Sequence, residues 1–132
     1  MRSIQTPHAP TPAGHYAQAW VHQGTVYVAG ILPLDPAHPD LPPGSVEAQA
    51  EQVLRNVESV LVAAGSGLDL TLLLTVYVSD LQHWGIVDAV FARILGDHRP
   101  ARVVVPVGEL RKGFALQVQT VAATRASAAE AS

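Results

Sequence analysis

Apolar residues follow two rhythms along the chain. Val46, Ala50, Val53, Leu54, Val57, Val60, Leu61 and Ala64 recur at three- and four-residue steps, the spacing that lays an apolar stripe along a helix. Ser45 stands where an N-cap belongs and Gly65 where the helix must stop. A second stripe, Trp84, Val87, Phe91, Ile94 and Leu95, predicts another helix, capped by Asp80 and ended by Gly96 and Pro100. Elsewhere the pattern is strand-like. Ala17–His22 and Thr25–Ala29 flank Gln23-Gly24, the signature of a β-hairpin. Leu70–Val78, Arg102–Val107 and Ala115–Ala123 read as three more strands, the last two around a Gly-Glu-Leu-Arg-Lys-Gly turn. Pro33 to Gly44 holds five of the ten prolines and must be a loop.

The predicted order is β-β-α-β-α-β-β, an α+β fold over one domain spanning residues 1–132. Residues 1–14, rich in Pro, Ser, Thr and Gly, form an extended arm, and 126–132 a flexible tail. Two helices cover only one face of such a sheet. Yet Leu72–Leu74 with Val76, and Val103–Val107, are apolar on both faces. A sheet buried on both sides with helices for one needs a partner chain, so self-association is expected. Composition agrees: 48% hydrophobic against 14% charged is lean for a lone monomer of 132 residues.

Several classes of function drop out. The net charge is −3 and the eight basic residues are scattered, so no basic stripe awaits nucleic acid. There is no cysteine, hence no disulfide, thiolate metal site or Cys nucleophile. No apolar run approaches the ~20 residues of a membrane span. The start Met1-Arg2-Ser3-Ile4 lacks an apolar signal core, so a cytoplasmic location is expected. The six histidines show no metal-ligand spacing, and neither metal nor cofactor is expected. Gly65-Ser66-Gly67 follows a helix rather than a strand, which makes it a turn and not a nucleophile elbow.

Arg102 is the residue that invites chemistry. It opens an otherwise apolar strand, where a guanidinium needs an anion, and its planar fork suits a carboxylate. The competing reading is an arginine that reaches to water or pairs with Glu109 or Asp97. Strict alternation puts Arg102, Val104 and Pro106 on one face, opposite Val103, Val105 and Val107. On the last strand Leu116, Val118 and Thr120 oppose Gln117, Gln119 and Val121. With the most apolar faces on the helices, Arg102 and Gln117 should both point away from them, toward the subunit interface.

Pro100-Ala101-Arg102, the apolar run, Gly108-x-Leu110 and Leu116-Gln117-Val118 together resemble the signature block of the Rid (YjgF-like) family. Gly14-His15-Tyr16-Ala17-Gln18 resembles the family's Gly-Pro-Tyr-x-Gln, and Tyr27–Pro33 its apolar-Ser-Gly-Gln-Ile-Pro strand end. Gln49, Asn56 and Thr75–Leu81 agree as well, so the resemblance covers roughly residues 7–125. It implies a chorismate-mutase-like fold, a mixed sheet with two helices on one face, and a homotrimer with ligand clefts between subunits. In active members the arginine, here Arg102, grips the carboxylate of a 2-imino or 2-enamino acid. A glutamate on the last strand positions or activates water. A tyrosine, here Tyr16, and the Ser-Gly strand end, here Ala29-Gly30 followed by Ile31, complete the cleft.

The departures are specific. Gln117 takes the glutamate's place, and an amide cannot accept a proton as a carboxylate can. Ala29 replaces the usual serine and Ile31 the glutamine; Val104 stands where many members carry cysteine, and Asp88 where some carry asparagine. The expected ligand is therefore a small carboxylate-bearing imine or enamine, bound with weak deaminase activity. The alternative is a non-catalytic member that binds a metabolite or regulates a partner. A ribonuclease or translation-inhibitor role, described for part of the family, is the remote alternative.

Overall fold

The computed structural model describes residues 1–130. Gln23 and Gly24 both take left-handed backbone, φ 51° and 78°, the two-residue turn whose twist matches its flanking strands. The turn joins β2 (Ala19–His22) to β3 (Thr25–Ile31). The N-terminal arm, read from sequence only as extended, contributes β1 (Arg2–Ile4) along the outer edge of β2.

Two helices follow the sequence pattern closely. In α1 (Val46–Ala63) the Ser45 hydroxyl accepts from Ala48 N–H at 3.1 Å, and Gly65 closes the end at φ 77°. Asp80 caps a short 3-10 turn, Leu81–His83, rather than the helix itself, which follows as α2 (Trp84–Leu95).

The sheet runs β1-β2-β3-β6-β4-β5. Strand β6 (Leu116–Ala123) lies between β3 and β4 (Thr71–Val78), antiparallel to both. Beyond β4, β5 (Ala101–Pro106) runs parallel to it at the edge. This corrects the expectation that the last two strands are neighbours around their turn, because β4 separates them. The reason is the α2 crossover, which returns the chain parallel to β4 and leaves the central slot for β6. The architecture is α+β with a mixed sheet.

Both long helices cover one face. Leu74, Val76 and Val78 of β4, Leu116 and Val118 of β6, and Val26 and Val28 of β3 are buried beneath them. The opposite face is open: Trp20, Tyr27 and Val103 are 44%, 51% and 48% exposed. A third helix, α3 (Arg125–Glu130), forms where a frayed tail is expected; residues 131–132 of that tail lie outside the described residues. Its first residue pairs with Asp69 through two bonds of 3.0 Å, which hold the Asp69 carboxyl below the usual carboxylate range.

Two polar residues sit on the buried stripe of α1. Asn56 donates to Leu32 O and Leu34 O at 3.0 and 2.8 Å. Gln49 donates to Gly44 O and accepts from Ala115 N–H, both at 2.8 Å. Together they tie the proline loop and the start of β6 to the helix. Asn56→Ala leaves two carbonyls without donors, so we expect a loss of about 2–4 kcal/mol. Urea unfolding of the two proteins measures it; an equal midpoint would show that the loop holds without Asn56.

Candidate functional site

The site begins at an irregularity between β3 and β6. Val28 pairs with Thr120 but Ile31 with Val118, so three steps on one strand oppose two on the other. This bulge keeps both Val28 and Ile31 in the core, at 3% and 4% exposure, despite their odd spacing. It also presents Gly30 to Gln117. A Cβ on residue 30 would lie 2.7 Å from Gln117 Nε2 and 3.1 Å from its Cδ, so the Gln117 amide rests on bare glycine backbone.

Around this pair opens a cleft of about 680 Å³. The N-terminal arm forms one wall, through Pro10 to Tyr16, and the proline loop another, through Leu32 to Pro39. Gln18, 2% exposed, sets the arm: it accepts from Thr6 N–H at 2.7 Å and donates to Thr6 O and Pro10 O at 3.0 Å. The Tyr16 hydroxyl accepts from Ala13 N–H at 3.4 Å, which leaves its O–H hydrogen available. Arg111 and Lys112 line the third side, and no motif in the sequence marks them. Their one signal is adjacency in a turn bracketed by glycines.

The chain thus brings Tyr16, Gly30, Ile31 and Gln117 together. Arg102 is elsewhere, and its predicted orientation is corrected. It pairs in register with Leu74, so it faces the helices at the exposed sheet edge. Its Nη1 donates to Asp88 Oδ1 at 2.7 Å, and its guanidinium lies 4.6 Å from the centroid of the Trp84 ring. The alternation of β5 is apolar on both sides, so it gave no means of choosing the face; the α2 crossover decides it. Neither Glu109 nor Asp97 is the partner. With its side chain 42% exposed, Arg102 keeps an open edge to its fork. Val104, two residues on, packs partly against the core on that same face. Ala29 turns its N–H to Gln18 O at 2.9 Å and does not line the cleft. Among the described residues no three His, Asp or Glu side chains gather, and no helix is long and apolar enough to cross a membrane.

The model of the family described as endoribonuclease L-PSP, the Rid (YjgF-like) family, matches residues 6–124. The chain belongs to that family. A RutC family protein of Pyrococcus horikoshii is 34% identical over 90% of this chain and 94% of its own. The 2-iminobutanoate/2-iminopropanoate deaminase of Rattus norvegicus is 33% identical over 90% and 87%. Among solved structures, RidA from the Antarctic bacterium Psychrobacter sp. superposes with a TM-score of 0.88 at 35% identity, over 93% of this chain and 99% of that one.

Within this Rid-family chain four side-chain amides divide their labour. Gln18, Gln49 and Asn56 are buried and spent on backbone. Gln117 is half-buried and meets the cleft. Its seat predicts the effect of a methyl group. Gly30→Ala should push the Gln117 side chain off the strand by roughly the overlap a 2.7 Å approach creates, without unfolding the chain. A crystal structure of the variant with Gln117 unmoved would refute that seat.

Proposed function

We propose that this Rid-family protein binds a small 2-imino or 2-enamino acid in clefts completed by a neighbouring subunit of a homotrimer, and hydrolyses it weakly. One observation carries the reading. The residues that would hold and hydrate a C=N carbon line one cleft at β3–β6, while the carboxylate-binding Arg102 stands on the far sheet edge. A second copy supplies what one chain keeps apart. The open sheet face, with Trp20, Tyr27 and Val103 exposed, is the surface such a copy would cover.

In the reaction, water adds to the imine carbon, the C–N bond breaks, ammonia leaves and a 2-oxo acid remains. Arg102 anchors the carboxylate, with Trp84 behind the guanidinium. Gln117 accepts a hydrogen bond from the water through its amide oxygen and aims it, but takes no proton. Tyr16 donates to the substrate or the water. The established deaminase relative, alike over most of both chains, supports this chemistry. The family model's endoribonuclease description finds less support, because the net charge is −3 and Arg93, Arg102 and Arg125 are each paired with an acid.

Asp88 bears on affinity. Its carboxylate already occupies part of the Arg102 fork, so an incoming carboxylate binds a pair whose charges cancel. Asp88→Asn should tighten 2-oxobutanoate about two- to fivefold, and Arg102→Ala should weaken it about 10- to 100-fold. Light scattering of all three proteins should give about three chain masses. A stable monomer, or Arg102→Ala binding as wild type, would end the inter-subunit clamp.

Turnover isolates Gln117. Ammonia release from 2-iminopropanoate generated in situ should barely exceed the uncatalysed rate, and Gln117→Glu should raise it on the order of 10²-fold. The gain belongs in kcat more than in KM, since a base acts on the transition state. Wild-type turnover already as fast as the Glu variant would place the base elsewhere. A silent Glu variant that still binds carboxylates would favour the non-catalytic reading.

A further inference from the structure

The charge of the cleft is one-sided. Although the chain carries a net charge of −3, no residue lining the cleft is acidic and two, Arg111 and Lys112, are basic. The nearby Asp35 carboxylate is turned into its own loop, accepting from Ala37 N–H at 2.9 Å. The two cations are not equivalent. Lys112 donates to Pro39 O at 3.4 Å across the mouth and sits at φ 58°, a left-handed conformation unusual for a side-chain-bearing residue. It straps the turn to the proline loop. Arg111 is held beside it, exposed, and its guanidinium meets no carboxylate or carbonyl among the described residues. Arg93, Arg102 and Arg125, by contrast, are all paired with acids.

We infer that Arg111 is a second anion subsite, and that the cleft is suited to substrates with a carboxylate at the far end of the tail: 2-imino dicarboxylates. The inference rests on the proposed function, in which Arg102 of a neighbour takes the carboxylate next to the imine. Arg111 then meets the other end, on the arm and proline-loop side of Gln117. A guanidinium fork binds a carboxylate through two parallel bonds, and an unpaired one in a concave site draws anions toward it. Lys112 is a positioning residue, fixing the turn that presents Arg111.

Calorimetry with three 2-oxo acids tests this on the full-length protein. 2-Oxoglutarate carries the tail charge, its 5-methyl ester has nearly the same length without it, and 2-oxobutanoate is short. At low salt 2-oxoglutarate should bind about fivefold tighter than its 5-methyl ester, and the margin should shrink as salt screens the tail charge. Arg111→Gln, an exposed change with no folding burden, should bring the two constants together. Equal binding of the two longer acids by the wild type would overturn the subsite while the 2-oxobutanoate result leaves the clamp standing. A margin that survives Arg111→Gln would overturn it too. If none of the three acids binds, the proposed function fails and this inference with it.

Discussion

Proline supplies carbonyls but no N–H, and that imbalance organises this molecule. The arm beyond β1 and the loop after β3 are rich in proline, so neither can enter a ladder along its length. Their carbonyls still need donors wherever they are buried. Side-chain donors supply them: Gln18 to Thr6 O and Pro10 O, Asn56 to Leu32 O and Leu34 O, and Gln49 to Gly44 O, while Lys112 adds a bond to the exposed Pro39 O. Each bond fixes a stretch of irregular backbone against the sheet or helix. The walls of the cleft are those stretches. Rigidity at the site therefore comes from amides in the core and not from the strands that carry its floor.

A second constraint comes from where the helices stop. With α1 and α2 on one face, the sheet keeps a half-exposed apolar side, and β4 separates the cleft at β3–β6 from Arg102 on the β5 edge. The bulge at Ala29–Gly30 serves the core by returning Ile31 to the interior, and in the same step it seats the Gln117 amide. One local distortion thus answers a packing demand and shapes the cleft floor.

The sequence made the helices legible because their signals are redundant: stripe, Ser45 cap and Gly65 stop agree on α1. The hairpin at Gln23-Gly24 was equally plain, since its positive φ values select its residue types. Strand order was not. A strand's alternation names its two faces but not its neighbours, and β5, apolar on both sides, carried no mark of being an edge or of which side Arg102 would take. The period of α1 puts Gln49 and Asn56 on its buried stripe, but nothing in it announces that Asn56 serves a loop 22 and 24 residues away. Arg111 was hidden for the opposite reason. A charged residue in a turn is ordinarily a solvated one, and only the folded arm and loop give it a concave surrounding.

The electrostatics of the two half-sites then set what the protein can do well. At Arg102 the charge is already balanced by Asp88, 2.7 Å away, so in the proposed clamp anchoring depends on the remaining fork geometry more than on net attraction. At the cleft the charge is unbalanced and positive, while Gln117, which lines it, is neutral. Such an arrangement favours binding anions over moving protons, because positive charge stabilises a bound carboxylate throughout the reaction but a missing base is felt only at the transition state. Uniform binding lowers KM without raising kcat. On the function proposed above, a cleft built this way gains in affinity and selectivity for its anion, and its turnover comes from how well a water is aimed.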